Sequence, residues 1–297
     1  MVDSLGLVTP PGSPGLVLRE LLERPGAVLM PGAHNGLAAL QARSAGFNAL
    51  YLSGAAMSAS MGLPDVGVIT IDDVCFFIRQ VVRATGLPVL VDGDTGHGEA
   101  LNVAYTVRSF EGAGAAAVHI EDQILPKKCG HLRDKRLATA DDMVIRIRVA
   151  VMARRDMLIV ARTDALESEG LDGAVARSLR YLDAGADAIF PEALTSEAMF
   201  REFAARVDAP LLANLTEFGQ TPAFTAQEME HMGYKMIIWP TTSLRLAARA
   251  QRDAYTVIRD SGTTAPLLDR MLTRQDMEAT LNYAGYEDLD ASLTREQ

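Results

Sequence analysis

One short stretch of this sequence brings together groups that exchange protons, and it reads Lys127-Lys128-Cys129-Gly130-His131. Cationic neighbours lower the pKa of a cysteine, and a nearby imidazole can exchange protons with the thiol. The glycine lets a ligand approach the backbone. The stretch therefore predicts acid–base chemistry, with Cys129 as a reactive thiol and His131 beside it. The alternative is a partly buried, inert cysteine next to a solvated basic pair.

A second candidate for chemistry is the pair Asp92 and Asp94, which follows an apolar segment and is flanked by glycines. In an extended chain, side chains two residues apart share a face. Paired hard oxygens suit Mg²⁺, which keeps several waters and takes few protein carboxylates. Glu121 is a candidate for the outer carboxylates around such an ion. An ordinary turn remains the alternative for the aspartate pair. Zinc is not expected, because His97 and His131 lack the spacing of zinc ligands.

Arg162 ends an otherwise apolar segment. Burying an unpaired guanidinium is costly, so a ligand carboxylate or a neighbouring Asp or Glu must satisfy it. Substrate binding and structural pairing both remain open for this residue.

Short apolar segments alternate with longer segments of helical period along most of the chain. The strand candidates are residues 27–30, 49–52, 88–91, 116–120, 157–161, 188–190, 211–213 and 236–239. The helix candidates are residues 16–23, 36–45, 71–84, 99–111, 141–154 and 171–183, several of which end before a glycine suited to a helix C-cap. Repeated βα units of this number predict a (β/α)₈ barrel of the TIM type. An open, doubly wound sheet is the runner-up, because strand order cannot be read from one sequence.

Polar residues follow seven of the eight strand candidates, at positions 53, 92–98, 121–122, 162–164, 192, 214–217 and 241–245. In a barrel the chemistry lies at the carboxyl ends of the strands. We therefore expect these side chains to share one site, although any one of them alone would be an ordinary solvated turn.

Bulk composition narrows the class of protein. The chain has 297 residues, of which 48% are hydrophobic, and a formal net charge of −10. We expect a single barrel domain over residues 1–297, with a flexible leader at 1–15, a core at 16–243 and a helical extension at 244–297. The acidic balance argues against nucleic acid as a partner. Two cysteines without metal or redox spacing favour a reducing cytoplasm, and no membrane span is expected.

The segments that carry this chemistry resemble, in order, those of the isocitrate lyase and phosphoenolpyruvate mutase superfamily. The resemblance covers nearly the whole chain and rests on residues 51–54, 91–96, 119–123, 127–131, 161–164 and 214–219. Within the superfamily, the short length and the Thr-Glu-Phe-Gly stretch at 216–219 are similar to the 2-methylisocitrate lyases. Two places depart from them: Ala55 and Ala56 stand where they tend to have glycine, and Lys128 stands where they tend to have arginine, which is the isocitrate lyase form.

The resemblance implies a (β/α)₈ barrel, a homotetramer that exchanges a C-terminal helix between subunits, and dependence on Mg²⁺. It implies a retro-aldol type cleavage of 2-methylisocitrate into pyruvate and succinate. Related lyases or hydrolases acting on 2,3-dimethylmalate, isocitrate or oxaloacetate remain alternatives. A phosphonate-forming mutase is a more distant one, which would not need the thiol, and a non-catalytic barrel protein is another.

Carried over residue by residue, the resemblance implies roles at the site. Cys129 is the proposed general acid that protonates the succinate carbanion, with His131 beside it, whereas Tyr51 and a metal-assisted water both remain open as the base for the substrate hydroxyl. Asp92 and Asp94 would hold Mg²⁺, with Asp65 and Glu121 as outer carboxylates. Substrate contacts are expected from Ser53, Gly54, Ala55, Gly130, Arg162, Glu192, Asn214, Leu215, Thr216, Arg245 and Arg274.

The loop at residues 123–137 is rich in cations within an otherwise acidic protein. Their mutual repulsion predicts a loop that stays open and solvated until an anionic substrate neutralises part of it. The alternative is a permanently ordered loop whose cations pair with Asp122, Asp134 and Asp141.

Overall fold

The computed structural model describes residues 12–294, which form a barrel of parallel strands surrounded by helices. Most of the predicted leader, residues 1–11, lies outside the described residues. The strands are β1 (Val28–Pro31), β2 (Leu50–Leu52), β3 (Val89–Asp92), β4 (Ala117–Glu121), β5 (Leu158–Thr163), β6 (Ala188–Pro191), β7 (Leu212–Asn214) and β8 (Met236–Trp239). The helices are α1 (Pro14–Glu23), α2 (Gly36–Ser44), α3 (Gly54–Ser60), α4 (Ile71–Thr85), α5 (Ala100–Ala113), α6 (Ala140–Ala153), α7 (Leu166–Asp183), α8 (Glu197–Arg206), α9 (Ala226–His231), α10 (Thr242–Ser261), α11 (Arg274–Thr280) and α12 (Tyr283–Thr294), with a 3₁₀ helix at Ala265–Arg270.

The strands close into a ring. Strands β2 to β6 pair in chain order, and β8 pairs with both β1 and β7, always in parallel. Two isolated bridges join these sheets: Gly32 pairs with Tyr51 between β1 and β2, and Ile189 pairs with Leu211 between β6 and β7. The predicted (β/α)₈ barrel is confirmed, and the open, doubly wound sheet is excluded.

Successive side chains of each strand point to opposite faces, which divides the core into two layers. Met30, Leu90 and Ile238 pack together inside the barrel. Val91 and Ile120 belong to the outer layer, where the strands meet the helices. Both faces are covered, which explains why the strands read as continuous apolar runs.

Helix α1 closes the amino-terminal end of the barrel. Its Leu18 is fully buried within the inner layer. Gly15 lies so close to the chain before β5 that a Cβ there would be 2.2 Å from the carbonyl oxygen of Asp156. After α1, the carbonyl oxygen of Gly26 accepts a hydrogen bond from Lys235 Nζ at 2.5 Å.

The predicted element bounds agree with the structure within two residues, except for α7, which begins at Leu166 instead of 171. Its two parts meet at a kink at Gly170, whose φ is 68°. The glycine caps are as expected: Gly86 ends α4 in the left-handed conformation, with φ 65°. Helix α1 begins at Pro14, since proline is well tolerated in a first helical turn.

The chain after the barrel is helical. Helix α10 buries none of its residues, although it carries several apolar side chains. Large apolar side chains exposed on α10 and the elements after it are Leu246, Tyr255, Ile258, Leu268, Met271, Leu272, Leu281, Tyr283, Tyr286 and Leu293. Within residues 12–294, no helix combines the length and the apolar character needed to cross a membrane.

Candidate active site

A cavity of about 80 Å³ lies at the carboxyl ends of the strands. Its walls come from the strand ends and from the 123–137 loop. It is lined by Tyr51, Ser53, Ala55, Asp65, Asp92, Lys127, Cys129, Gly130, His131, Arg162, Phe190, Glu192, Asn214, Thr216, Pro240, Thr241 and Arg245. The structure therefore brings most of the predicted site residues together at the end of the barrel where they were expected.

Asp92, the last residue of β3, has both carboxylate oxygens held in place. Oδ2 accepts hydrogen bonds from the Gly54 backbone N–H at 3.0 Å and from the Tyr51 hydroxyl at 3.4 Å. Oδ1 accepts one from the Asp94 N–H at 3.1 Å. A Cβ at Gly54 would lie 2.9 Å from Oδ2, so this approach requires glycine. Burial opposes ionisation, but the positive groups nearby outweigh it and lower the pKa of Asp92.

Lys127 lies between two carboxylates. The cation-rich loop had been expected to hold it in solvent. Its Nζ is 2.5 Å from Asp65 Oδ1 and 2.5 Å from Asp94 Oδ1. Burial raises the pKa of Asp94 to about 6, with Asp92 adding to the effect and Lys127 opposing it. Burial alone would lower the pKa of Lys127, but the carboxylates around it raise it well above its ordinary value. Lys127 is therefore a fixed cation of the site.

Glu121 adds a third carboxylate at the end of β4. It is fully buried, and among the described residues neither carboxylate oxygen accepts a hydrogen bond, although Arg162 Nη1 lies 3.2 Å from Oε2 as an ion-pair partner. Burial raises the pKa of Glu121 well above its ordinary value. With Asp92 and Asp94 this side chain offers hard oxygens, the donors that Mg²⁺ prefers. Within residues 12–294, no three or more His, Cys, Asp or Glu side chains are already arranged around a common point as metal ligands. The donor set fits Mg²⁺.

Arg162, within β5, is buried and surrounded by carboxylates. Its Nε donates to Asp164 Oδ2 at 3.0 Å. Its other nitrogens lie 3.2 Å from Glu121 Oε2 and 3.6 Å from Glu192 Oε2. A buried guanidinium needs its charge compensated, and these three carboxylates compensate it. Arg162 also lines the cavity, so it can meet a ligand carboxylate.

His119 was not among the predicted site residues. It is fully buried on β4, with Nε2 2.8 Å from the Tyr51 hydroxyl and 3.5 Å from Asp92 Oδ1. Burial lowers its pKa to about 4, so the ring is neutral near pH 7. Strand alternation was the missed signal: His119 stands two residues before Glu121 and shares its inward face.

The surroundings of Tyr51 bear on whether it can act as the base for a substrate hydroxyl. Burial, reinforced by Asp92, raises the pKa of the Tyr51 phenol well above its ordinary value. The hydroxyl therefore stays protonated near neutral pH and acts as a hydrogen-bond donor. This disfavours Tyr51 as the base for a substrate hydroxyl.

The 123–137 loop lies closed over the cavity, where Lys127, Cys129, Gly130 and His131 are among the lining residues. Opening of the loop without an anionic ligand stays a prediction. Its stem is a short antiparallel ladder in which Gln123 pairs with Leu137 and the Ile124 N–H donates to the Arg136 carbonyl at 2.9 Å. The Gln123 side chain accepts from the Lys128 N–H at 2.9 Å and donates to the Lys128 carbonyl at 3.0 Å. Carboxylates outside the loop lie close to two of its cations: Asp65 and Asp94 to Lys127, and Asp164 to Lys135.

Cys129 lies at the mouth of the cavity, where the residue is exposed to solvent although neighbouring groups crowd its sulfur. The prediction of a lowered thiol pKa is wrong. Surrounding protein withdraws water from the sulfur and raises the pKa of Cys129, and nearby Glu192 adds to the effect. A thiol with a raised pKa is protonated near pH 7, which is the form that a general acid needs.

His131 is held by residues from outside its own loop. Its Nδ1 accepts the backbone N–H of Gln220 at 3.0 Å, so the proton of the neutral ring lies on Nε2. Nε2 is 3.3 Å from Glu192 Oε1, which accepts. Asn214 Nδ2 also donates to Glu192 Oε2 at 3.2 Å. These contacts fix the ring against the ends of β6 and β7.

The other predicted substrate residues are not all at the cavity. Arg245 lines it and pairs with Glu217, its Nη1 lying 3.1 Å from Oε2. Leu215 is packed in the outer core and does not line the cavity. Arg274 is 93% exposed on α11 and pairs with Glu278, so this chain alone does not bring it to the site.

A closed barrel with an acidic cluster, a buried arginine and a thiol-bearing loop at its carboxyl end defines an enzyme of the barrel type. A family model described as phosphoenolpyruvate phosphomutase matches residues 18–259, and the chain belongs to this family.

Known proteins similar to this chain cover nearly all of it. A 2-methylisocitrate lyase from Aeropyrum pernix is 51% identical over 95% of this chain and 92% of its own length. A crystal structure of 2,3-dimethylmalate lyase, a member of the PEP mutase and isocitrate lyase superfamily, has a TM-score of 0.88 and 38% identity over 96% of both chains. A crystal structure of phosphonopyruvate hydrolase with oxalate and Mg²⁺ has a TM-score of 0.85 and 26% identity over 94% of this chain and 99% of its own. These relationships make the protein a carbon–carbon lyase.

Proposed function

We propose that the protein cleaves 2-methylisocitrate into pyruvate and succinate by a Mg²⁺-dependent, retro-aldol type reaction. The observation that carries the proposal is that one cavity is lined by the protonated Cys129 thiol, the Asp92 carboxylate and the Arg162 guanidinium. The relative that is 51% identical and named 2-methylisocitrate lyase supports the choice of substrate.

Charge in the cavity supports the need for a metal ion. The carboxylates among the lining residues, Asp65, Asp92 and Glu192, equal in number the three lining cations Lys127, Arg162 and Arg245. A neutral set does not attract a tricarboxylate strongly, because each substrate charge must leave water. A divalent ion held by Asp92 and Asp94 would supply the missing positive charge, and its chemistry would be to stabilise an oxyanion such as that of the α-keto acid. The Mg²⁺ in the phosphonopyruvate hydrolase structure supports this assignment.

The residues of the chain perform the remaining tasks. Arg162 binds a substrate carboxylate and orients the bond that breaks. When the carbon–carbon bond breaks, its electron pair stays on the carbon that becomes part of succinate, and Cys129 Sγ–H donates the proton to that carbon. The Tyr51 hydroxyl donates a hydrogen bond near Asp92. The Tyr51 phenol remains protonated and therefore does not take the proton of the substrate hydroxyl. An ion held by Asp92 and Asp94 would lower the pKa of that hydroxyl, so that water could take the proton.

The assembly is a further part of the proposal. We infer a homotetramer in which the C-terminal helices pack on a neighbouring subunit. This is supported by α10, which buries none of its residues in the single chain, and by the exposed apolar side chains that follow it. Such packing would also give Arg274 a site that its own chain does not provide.

The experiment is a substrate panel of 2-methylisocitrate, isocitrate, 2,3-dimethylmalate and oxaloacetate, each assayed with Mg²⁺ and with a chelator. Coupled assays report pyruvate and glyoxylate, and chromatography reports succinate. We expect the highest kcat/KM for 2-methylisocitrate, with equal amounts of pyruvate and succinate. A clear preference for 2,3-dimethylmalate, the substrate named for the structure at 38% identity, would replace this substrate while keeping the reaction type.

A further inference from the structure

Asp122 is a fully buried carboxylate that the proposed reaction does not use. Its Oδ2 accepts hydrogen bonds from the Thr163 hydroxyl at 2.8 Å and the Tyr181 hydroxyl at 2.8 Å. Its Oδ1 accepts the Asp164 N–H at 2.9 Å. Arg177 Nη1 lies 3.3 Å from Oδ2 and compensates the charge. With four donors the carboxylate has a single orientation.

Arg177 is itself fixed by the shape of α7. Its guanidinium forms a two-point contact with Glu169, Nε to Oε2 at 2.8 Å and Nη2 to Oε1 at 2.6 Å. The kink at Gly170 turns Glu169 back toward a residue eight positions later. Gly173 makes room for it, because a Cβ there would be 2.3 Å from Glu169 Cβ. The bidentate geometry makes this pair stronger than an ordinary surface ion pair.

Both ends of the 123–137 loop meet this cluster. Asp122 directly precedes the stem of the loop and Ala138 directly follows it. The Asp122 carbonyl accepts the Ala138 N–H at 2.8 Å. Arg177 Nη1 donates to the Ala138 carbonyl at 3.0 Å. Asp122 also accepts the backbone N–H of Asp164, and the Asp164 carboxylate accepts a hydrogen bond from Arg162. A single buried cluster therefore connects the loop of Cys129 with the guanidinium of the site.

We propose that Asp122, Arg177 and Tyr181 are positioning residues that lock the stem of the 123–137 loop to the end of β5, and so align Cys129 with Arg162. None of the three lines the cavity, so they act through other residues. The role in alignment rests on the proposed function, whereas the anchoring of the loop does not.

The test compares Tyr181→Phe and Arg177→Gln with the control Arg180→Gln on the same helix. Arg180 pairs at the surface with Asp141, away from the cluster. With 2-methylisocitrate we expect kcat to fall about 10-fold or more in both cluster variants and KM to change much less, because misplaced groups cost rate more than ground-state binding. Cleavage by trypsin within residues 127–136 should accelerate by a similar factor. The control should match the wild-type protein in both measurements.

Circular dichroism and thermal unfolding identify variants that are folded at the assay temperature, and Tyr181→Phe keeps the ring that fills the core. Folded cluster variants with wild-type trypsin rates and wild-type kcat would overturn the proposal, even if their Tm falls. If the wild-type protein cleaves no substrate of the panel, the proposed function fails, but the trypsin rates still decide whether the cluster anchors the loop.

Discussion

Cys129 offers the most direct test at the scale of single residues. We expect Cys129→Ser to lower kcat by about 100-fold or more, because a hydroxyl is a far weaker acid than a thiol near neutral pH. The side chain is exposed at the cavity mouth, so the substitution should leave the Tm unchanged. Steady-state kinetics and thermal unfolding measure the two effects. Wild-type turnover by the folded variant would remove the thiol from the mechanism.

The raised pKa of Cys129 also predicts the pH dependence of the rate. The protonated thiol is the active form, so kcat should be constant below the thiol pKa and fall as the pH rises through it. Because that pKa is raised, the midpoint of the fall should lie above about pH 8.5, the ordinary pKa of a thiol. A pH profile of kcat measures this alkaline limb, which Cys129→Ser should lack. A fall centred below that pH would contradict the assignment.

The two aspartates of the proposed metal site should differ in their effects. Asp92→Ala should abolish Mg²⁺-dependent activity, since few protein ligands hold an ion that dehydrates reluctantly. Asp94→Ala should lower the activity less than Asp92→Ala. Without Asp94, Lys127 still pairs with Asp65, so the substitution leaves no buried cation without a partner. Calorimetric titration with Mg²⁺ and activity at several Mg²⁺ concentrations measure both effects. Full activity of the wild-type protein in a chelator would show that no metal is used.

Residue types and spacing alone singled out Asp92 and Arg162, because each stands at the end of an apolar segment, and Cys129, because cations and an imidazole stand beside it. The sequence could not show that Lys127 is buried, because its partners Asp65 and Asp94 are distant along the chain. The direction of the pKa shift of Cys129 was missed for the same reason: it depends on burial and on groups that folding brings near.

At the scale of elements, Gly130 decides whether the 123–137 loop can close. A Cβ at this position would lie 2.3 Å from Glu192 Cγ and 2.5 Å from Arg162 Nη2. We expect Gly130→Ala to hold the loop away from the barrel, to speed trypsin cleavage within residues 127–136 several-fold and to lower kcat. Gly112→Ala is a matched control, because a Cβ there meets nothing within 4 Å. Wild-type cleavage and kcat in Gly130→Ala would contradict this account.

Strands and helices were predictable because their signals are local: apolar runs, helical period and glycine caps. The state of the 123–137 loop was not. Counting its cations predicts repulsion, but the structure shows that Asp65 and Asp94 neutralise Lys127 and that the stem forms its own ladder. Long-range contacts of this kind leave no periodic pattern in a sequence.

At the scale of the whole molecule, the C-terminal helices test the assembly. Multi-angle light scattering should give a mass near four times the 31.9 kDa of one chain. A charge on the exposed apolar side of α10, as in Leu246→Glu, should lower that mass because it opposes apolar burial. Arg259→Gln, at an exposed ion pair of the same helix, is the control. A mass near 31.9 kDa for the wild-type protein would exclude the tetramer.

Helix α1 closes the amino-terminal end of the barrel. Leu18 fills the amino-terminal end from inside, and the start of the helix packs on the chain before β5. Within residues 12–294, Met30, Leu90 and Ile238 fill the barrel next to Leu18. If the proposed function holds, both fragments of a cleaved substrate would therefore leave by the mouth through which the parent entered. Because the 123–137 loop covers that mouth, the fragment bound deeper would leave after the one nearer the loop, and the filled end of the barrel would set the order of product release.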